Sequence, residues 1–187
     1  MKKAAFLDRD GVINRKAPEG QYVTRWEEMK FLPGACEAIR LLNNAGFLVV
    51  VVSNQRCVAK GLITTEELDS LHAQMRNEFA AAGATIDAIY YCPHEIQPPC
   101  SCRKPRAGLL LDAARRHNVD LAGSWMIGDS GRDVQAGRSA GCRTVRLIGD
   151  GKSIAGDADV VASSLLDAAH KILQVDAALP TTAVDFE

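Results

Sequence analysis

Three observations predict an α/β protein, a Rossmann-like doubly wound parallel sheet. Short β-branched runs alternate with amphipathic helical patterns along most of the chain. The runs are apolar at consecutive positions rather than every second one, as strands covered on both faces require. A carboxylate follows directly on the first run and another lies two residues past the fourth, and ligands of such sheets bind beyond the carboxyl ends of the strands.

The elements follow in order. Residues 4–7 read as a strand, and 14–31 as a loop by composition. Pro33-Gly34 opens a helix over 35–44, with Gly46 as its stop. Residues 48–52 form the second strand. Thr64 and Glu67 make a capping box, and Leu68, Leu71, Met75 and Phe79 then recur on one helix face up to Gly83. A third strand is predicted over 88–91, and a proline-rich loop over 92–104. Pro105 stands where a helix over 106–118 begins. Strands over 125–127, 144–148 and 160–162 alternate with helices over 131–140 and 163–173. After about Gln174 no pattern is visible, so one domain is expected over 1–174 and a loose tail over 175–187.

The chain has 187 residues, enough for one well-buried domain. Its net charge of -1 leaves no global positive field for nucleic acid or an anionic membrane. The longest apolar stretch, 47–52, is too short to span a bilayer, and Asp8 interrupts any signal-peptide core. A cytoplasmic protein is expected, probed by small molecules rather than by nucleic acid or membrane, and a monomer.

Asp8-Arg9-Asp10-Gly11 follows the first strand. Two carboxylates two residues apart converge when the chain turns, and Gly11 permits the turn. One can attack phosphorus, and the other can protonate the leaving oxygen and then deprotonate a water. Two anions beside a phosphate need a cation, and Mg²⁺ suits oxygen ligands. Asp129, at the end of the fourth strand, is placed to join them, and Asp133 lies four residues on. Ser53 ends the second strand, where a hydroxyl and adjacent N–H groups can hold phosphate oxygens. Arg103-Lys104 stands at a helix start, which also attracts anions. Taken singly, these are ordinary turn residues, strand-end caps and solvated charges.

As an ordered set, Asp8-x-Asp10, Ser53, Lys104 and Gly128-Asp129 resemble the four motifs of the haloacid dehalogenase (HAD) superfamily of phosphotransferases. That resemblance implies Asp8 as nucleophile and Asp10 as general acid/base. It further implies Ser53 and Lys104 on the phosphoryl group, and Mg²⁺ on the Asp8 side chain, the Asp10 carbonyl and Asp129.

Cys92-Pro93-His94, five residues, then Cys100-Ser101-Cys102 offer three thiolates and one imidazole. That is the ligand set of a closed, structural zinc site, preferred here to a disulfide or a buried cysteine pair. Four protein ligands leave no position for a reacting water, so zinc would brace the loop and place Arg103 and Lys104. Cys36, Cys57 and Cys142 read as packing residues, with Cys57 close to the proposed site. His72, His117 and His170 fall in helices and read as surface residues.

The Cys-Pro-His…Cys-x-Cys-Arg-Lys-Pro string, with no room for a cap domain, resembles the D-glycero-D-manno-heptose 1,7-bisphosphate 7-phosphatase family. Histidinol-phosphate phosphatases carry a similar zinc loop and remain the alternative. The heptose family implies substrate contacts from Glu19, Gly20, Gln21 and Tyr22, from Ser53, Asn54, Gln55 and Arg56, and from Arg103 and Lys104. It also implies a place in nucleotide-activated heptose and lipopolysaccharide precursor synthesis. Arg56-Cys57-Val58 departs from the Ser-Gly-Ile-type string common there, and Ser130 stands where a Lys is common.

Three other classes fit the residues less well. Residues 149–153 look like the end of a P-loop, but Arg146 stands where its first glycine belongs, so a turn is preferred. A zinc knuckle for nucleic acid lacks basic and aromatic surface. An inactive zinc-stabilised scaffold would have no use for Asp8, Asp10, Lys104 and Asp129, since unused buried like charges carry a desolvation and repulsion cost.

Overall fold

The computed structural model describes residues 1–148 and 158–178. Six strands form one parallel sheet: β1 (Ala4–Leu7), β2 (Leu48–Asn54), β3 (Ala88–Cys92), β4 (Trp125–Gly128), β5 (Arg143–Leu147) and β6 (Val160–Ala162). Their order is β3-β2-β1-β4-β5-β6, the doubly wound arrangement that reverses direction between β1 and β4. The flanking helices are α1 (Ala35–Asn44), α2 (Thr65–Ala81), α3 (Gly108–His117), α4 (Gly131–Ala140) and α5 (Leu165–Ala177).

Alternation along β1 divides the core into two layers. Ala5 and Leu7 pack with α1, α2 and α5, while Ala4 and Phe6 face α3 and α4. Both faces are therefore covered, which explains the continuous apolar runs. Among the described residues, no helix is long and apolar enough to cross a membrane.

Register positions the chemistry. Leu7 pairs with Val51 on one side and Ile127 on the other. Asp8 therefore emerges one residue beyond that rung, and Ser53 and Asp129 two residues beyond it. The Asp8 N–H still donates to the Ile127 carbonyl at 3.0 Å, holding the start of the turn to the sheet.

The α2 capping box forms as expected. Thr64 Oγ1 accepts from the Glu67 N–H at 3.1 Å, and Glu67 Oε2 accepts from the Thr64 N–H at 2.8 Å. Three expectations are corrected. α3 starts at Gly108 rather than 106, because 105–107 are spent on a turn in which the Arg106 N–H donates to the Arg103 carbonyl at 3.0 Å. α5 runs through Ala177, past the expected helix end at 173, and Asp176 on its last turn accepts from Lys3 Nζ at 2.7 Å. His72 is buried rather than at the surface. Its position matches the helix face of Leu68, Leu71, Met75 and Phe79, a periodicity that already marked it. His117 is half-buried against the Tyr90 hydroxyl, and His170 is exposed as expected. Residues 149–153, read as a turn, and 179–187 of the expected tail lie outside the described residues.

Candidate active site

The ends of β1, β2 and β4 meet the segment before α3 around one buried ammonium. Lys104 is 2% exposed, and its Nζ lies 2.9 Å from Asp8 Oδ1 and 2.6 Å from Asp133 Oδ1. It also donates to the Val52 carbonyl at 2.7 Å. Burial opposes its charge, yet the two carboxylates hold its pKa above the ordinary lysine range. Its backbone is fixed by Asn54. The Asn54 amide donates to the Lys104 carbonyl at 3.0 Å and accepts from the Lys104 N–H at 3.0 Å. Asn54 thus fastens the end of β2 to the residue that carries the cation.

Asp8 sits in this floor with its pKa pushed up to about 6 by burial, with Lys104 opposing the rise and Asp133 adding to it. A bound cation would reverse that shift by the same Coulomb logic. Asp10 behaves differently. Burial works to raise its pKa, but the Arg9 charge and hydrogen bonds from Asn14 and Gln55 bring it below the ordinary value. The Asn14 amide reaches Asp10 Oδ1 at 2.9 Å, and the Gln55 amide reaches Oδ2 at 3.0 Å. Gln55 also donates to Ser53 Oγ at 2.7 Å, tying the second motif to the first.

Asp133 has a double role that its position in the sequence only partly suggests. It closes the α4 capping box on Ser130, whose hydroxyl donates to Oδ2 at 2.6 Å, while Oδ1 pairs with Lys104. Burial raises its pKa, but Lys104 and Ser130 more than reverse that.

Asp8, Asp129 and Asp133 each offer a carboxylate oxygen within 4.8 Å of the others. Asp129 Oδ1 is buried with no hydrogen-bond partner among the described residues, an acceptor left for a cation, while Oδ2 is paired with Lys16. A Cβ at Gly11, where φ is 91°, would collide with the Asp129 carboxylate, so glycine is required there for space as well as for the turn. Oxygen-only donors of this kind fit Mg²⁺. A cavity of about 620 Å³ opens beside Gly11 and Asp129, between Leu32, Pro33, Ser163 and Leu165.

The Cys/His loop gathers all four expected ligands, Cys92, His94, Cys100 and Cys102. The sulfurs of Cys92 and Cys100 are 3.5 Å apart, those of Cys100 and Cys102 3.4 Å, and His94 Nδ1 is 3.2 Å from Cys102 Sγ. A tetrahedron with zinc–sulfur bonds of about 2.3 Å has edges of about 3.8 Å, so the cluster needs only slight expansion to accept the ion. Burial opposes ionisation of Cys100, but bonds from Cys102, Cys92 and His94 hold its thiol down at about 6.

The implied substrate residues divide. Ser53, Gln55 and Lys104 converge on the carboxylates, whereas Asn54 turns to the Lys104 backbone. Arg56 pairs with Glu95 of the Cys/His loop, and Tyr22 lies under Lys60 Nζ at 5.2 Å. Arg103 Nη1 donates to the His94 carbonyl at 3.4 Å. Glu19, Gly20 and Gln21 form an exposed turn closed by the Gln21 N–H on the Pro18 carbonyl at 2.9 Å, away from the carboxylates. Sequence reasoning missed Arg9, Asn14, Lys16 and His72. Arg9 and Asn14 flank Asp10 in the same turn, so their proximity was a usable signal. The Lys16–Asp129 pair had none.

Two carboxylates two residues apart after β1, a buried lysine and strand-end acids at the switch point of a doubly wound sheet define a HAD-type phosphoric monoester hydrolase. A HAD-hydrolase-like family model matches residues 101–168. A curated D-glycero-beta-D-manno-heptose-1,7-bisphosphate 7-phosphatase of Bordetella bronchiseptica is 44% identical over 140 residues, 75% of this chain and 77% of that relative. The Vibrio cholerae enzyme of the same name is 39% identical over 185 residues, covering 93% and 98%. The crystal structure of the B. bronchiseptica D,D-heptose 1,7-bisphosphate phosphatase with magnesium and phosphate superposes with a TM-score of 0.83 at 38% identity, covering 92% of this chain and 99% of that one. The chain belongs to the D-glycero-D-manno-heptose 1,7-bisphosphate 7-phosphatase family.

Proposed function

We propose that this enzyme removes the 7-phosphate of D-glycero-D-manno-heptose 1,7-bisphosphate through a phospho-Asp8 intermediate. The β anomer is the preferred substrate, since the named relatives act on it. The observation that carries the chemistry is Lys104 Nζ held between Asp8 and Asp133, with Asp129 beside them and Asp10 on its own hydrogen-bond network.

Asp8 attacks phosphorus in line; Asp10, held below the ordinary carboxylate value by Arg9 in the free site, takes up a proton as the phosphate dianion arrives beside it and gives that proton to the departing sugar oxygen. Asp10 then takes a proton from the water that opens the acyl phosphate. Lys104 and the Ser53 hydroxyl steady the phosphoryl oxygens, and Gln55 aligns Ser53 with Asp10. Mg²⁺, held by the Asp8 side chain, the Asp10 carbonyl and Asp129, would neutralise charge on the transferring group. Most of the acceleration comes from this electrostatic clamp.

Cys92, His94, Cys100 and Cys102 would hold zinc and brace the segment that delivers Arg103 and Lys104. Arg103, at the rim, reads the second phosphate or the sugar, with Tyr22, Arg56 and the turn of Glu19, Gly20 and Gln21 shaping the approach. Residues 1–174, extended by the end of α5, form one phosphatase domain, working as a cytoplasmic monomer on a small sugar phosphate for lipopolysaccharide precursors.

The test is kcat/KM across α- and β-heptose 1,7-bisphosphate, histidinol phosphate and common sugar monophosphates with Mg²⁺. A clear preference for the β-bisphosphate supports the proposal. A preference for histidinol phosphate replaces the substrate, and no phosphate release from any of them leaves the scaffold reading.

A further inference from the structure

His72 takes no part in the chemistry above, yet it is 4% exposed and lies one side chain away from it. Its ring leans on Tyr91 of β3, with centroids 5.3 Å apart. Its Nε2 is 3.0 Å from Nη1 of Arg9. A guanidinium only donates, so Nε2 accepts and the ring proton is on Nδ1. Nδ1 is buried and finds no hydrogen-bond partner among the described residues. An imidazole kept inside a helix face with one nitrogen unsatisfied is an expensive choice where Leu would pack. Its one polar contact is with Arg9.

Arg9 is fully buried and spends its other edge on Asp10. Its Nε lies 3.3 Å from Asp10 Oδ1, and its Nη2 lies 3.1 Å from Oδ1 and 3.0 Å from Oδ2. The Val23 carbonyl accepts from Nη2 at 3.4 Å. The guanidinium is thus gripped from α2 on one side and holds the Asp10 carboxylate on the other. A neutral acceptor suits this place. A carboxylate at 72 would compete with Asp10 for the guanidinium, and a cation would repel it. Burial and the Arg9 charge push the His72 pKa down to about 3, so the ring is a neutral acceptor at neutral pH.

We propose that His72 is a positioning residue. By accepting from Nη1 of Arg9 it fixes the guanidinium edge that aims Asp10 at the leaving oxygen. The inference rests on the reading of Asp10 as general acid, and its test separates the two.

kcat/KM reports the steps up to release of the leaving group, so water attack on the phospho-enzyme does not enter it. A sugar alkoxide needs a proton to leave, whereas p-nitrophenolate is a stable anion and leaves without one. His72→Met removes the acceptor, and His72→Gln keeps an acceptor oxygen on a side chain of the same length. His72→Met should lower kcat/KM for the sugar phosphate by about tenfold or more, while p-nitrophenyl phosphate changes by less than about threefold. His72→Gln should recover most of the sugar-phosphate activity. His72→Leu serves in place of Met if that variant does not fold. Asp10→Asn is the control and should show the same selectivity, more strongly. If Asp10→Asn is selective but His72→Met lowers both substrates equally or neither, or Gln does not rescue, the positioning role is overturned. If Asp10→Asn itself is not selective, the general-acid reading falls and the inference falls with it.

Discussion

The catalytic floor and the Cys/His loop, joined at Lys104, are built on opposite principles. The floor is set by strand ends in fixed register, and its carboxylates are balanced by the protein's own cation. Lys104, Asp8 and Asp133 satisfy one another within 2.9 Å before any ligand arrives. The loop between β3 and α3 has little core of its own. Its half-buried Cys100 and Cys102 pack at the edge of one layer, and its three sulfurs and the His94 nitrogen lie within 4.8 Å of one another. One region is preorganised by the fold and should hold its shape when metal is removed. The other should depend on its ion.

The largest effect expected from this contrast is on turnover. Asp8→Asn should lower kcat by about 10⁴-fold or more, because the nucleophile is gone. Its melting temperature should stay within a few degrees, since Lys104 keeps Asp133. Phosphate release and circular dichroism on the same sample check both halves, and collapse of the fold would mean that the floor is not independently balanced.

Lys104→Met leaves two carboxylates buried without their cation. Breaking such a buried pair costs about 3–5 kcal/mol, to be read from urea unfolding at neutral pH. A stability equal to wild type would remove the ion pairs from the account of why the floor is rigid.

Extraction of zinc should lower the melting temperature by about 4–8 °C, corresponding to roughly 2 kcal/mol for a domain of this size. Removal of Mg²⁺ alone should leave it nearly unchanged while abolishing turnover. Full extraction, verified by metal content, with no thermal shift would show that the loop supports itself.

His72 links stability to pH from inside the preorganised half. Its folded pKa of about 3 lies below the ordinary 6.5, so below pH 6.5 the unfolded chain binds a proton that the folded one refuses. Its contribution is complete above pH 6.5 and is lost as pH falls towards 3. At pH 5 the wild type should therefore have lost up to about 2 kcal/mol that His72→Gln keeps, measured as the difference in urea midpoints between pH 7.5 and 5.

The smallest effect concerns selectivity at the rim. Arg103→Ala should reduce the preference for a bisphosphate over a simple monoester by about tenfold, while phosphate release from the monoester changes little. Equal losses on both substrates would leave Arg103 only its bond to the His94 carbonyl.

Five of the six strands were legible as short apolar runs, and β5, which carries Arg143 and Arg146, was legible only through Val145, Leu147 and its place after α4. α2 was legible through its capping box and repeating apolar face. The errors have local causes. Position 72 falls on the apolar face of α2 by spacing, and there burial follows spacing rather than the polarity of the ring. The start of α3 was set by a proline that instead belongs to a turn. The turn of Glu19, Gly20 and Gln21 was assigned by resemblance alone, and no contact of these side chains with the carboxylates supports it.

The sequence by itself determined the order of the strands along the chain, the carboxylates at their ends and the grouping of three cysteines and a histidine in the Cys/His loop. Each of these is written in a window of a few residues, where spacing and residue chemistry suffice. The tertiary structure alone decided that Lys104 is shared between Asp8 and Asp133, that Asn54 clamps the Lys104 backbone, and that His72 steadies Arg9 from 63 residues away. Those pairings depend on which strands become neighbours and in what register. Register is fixed by burying both faces of the whole sheet at once, a condition that no short segment of the chain contains.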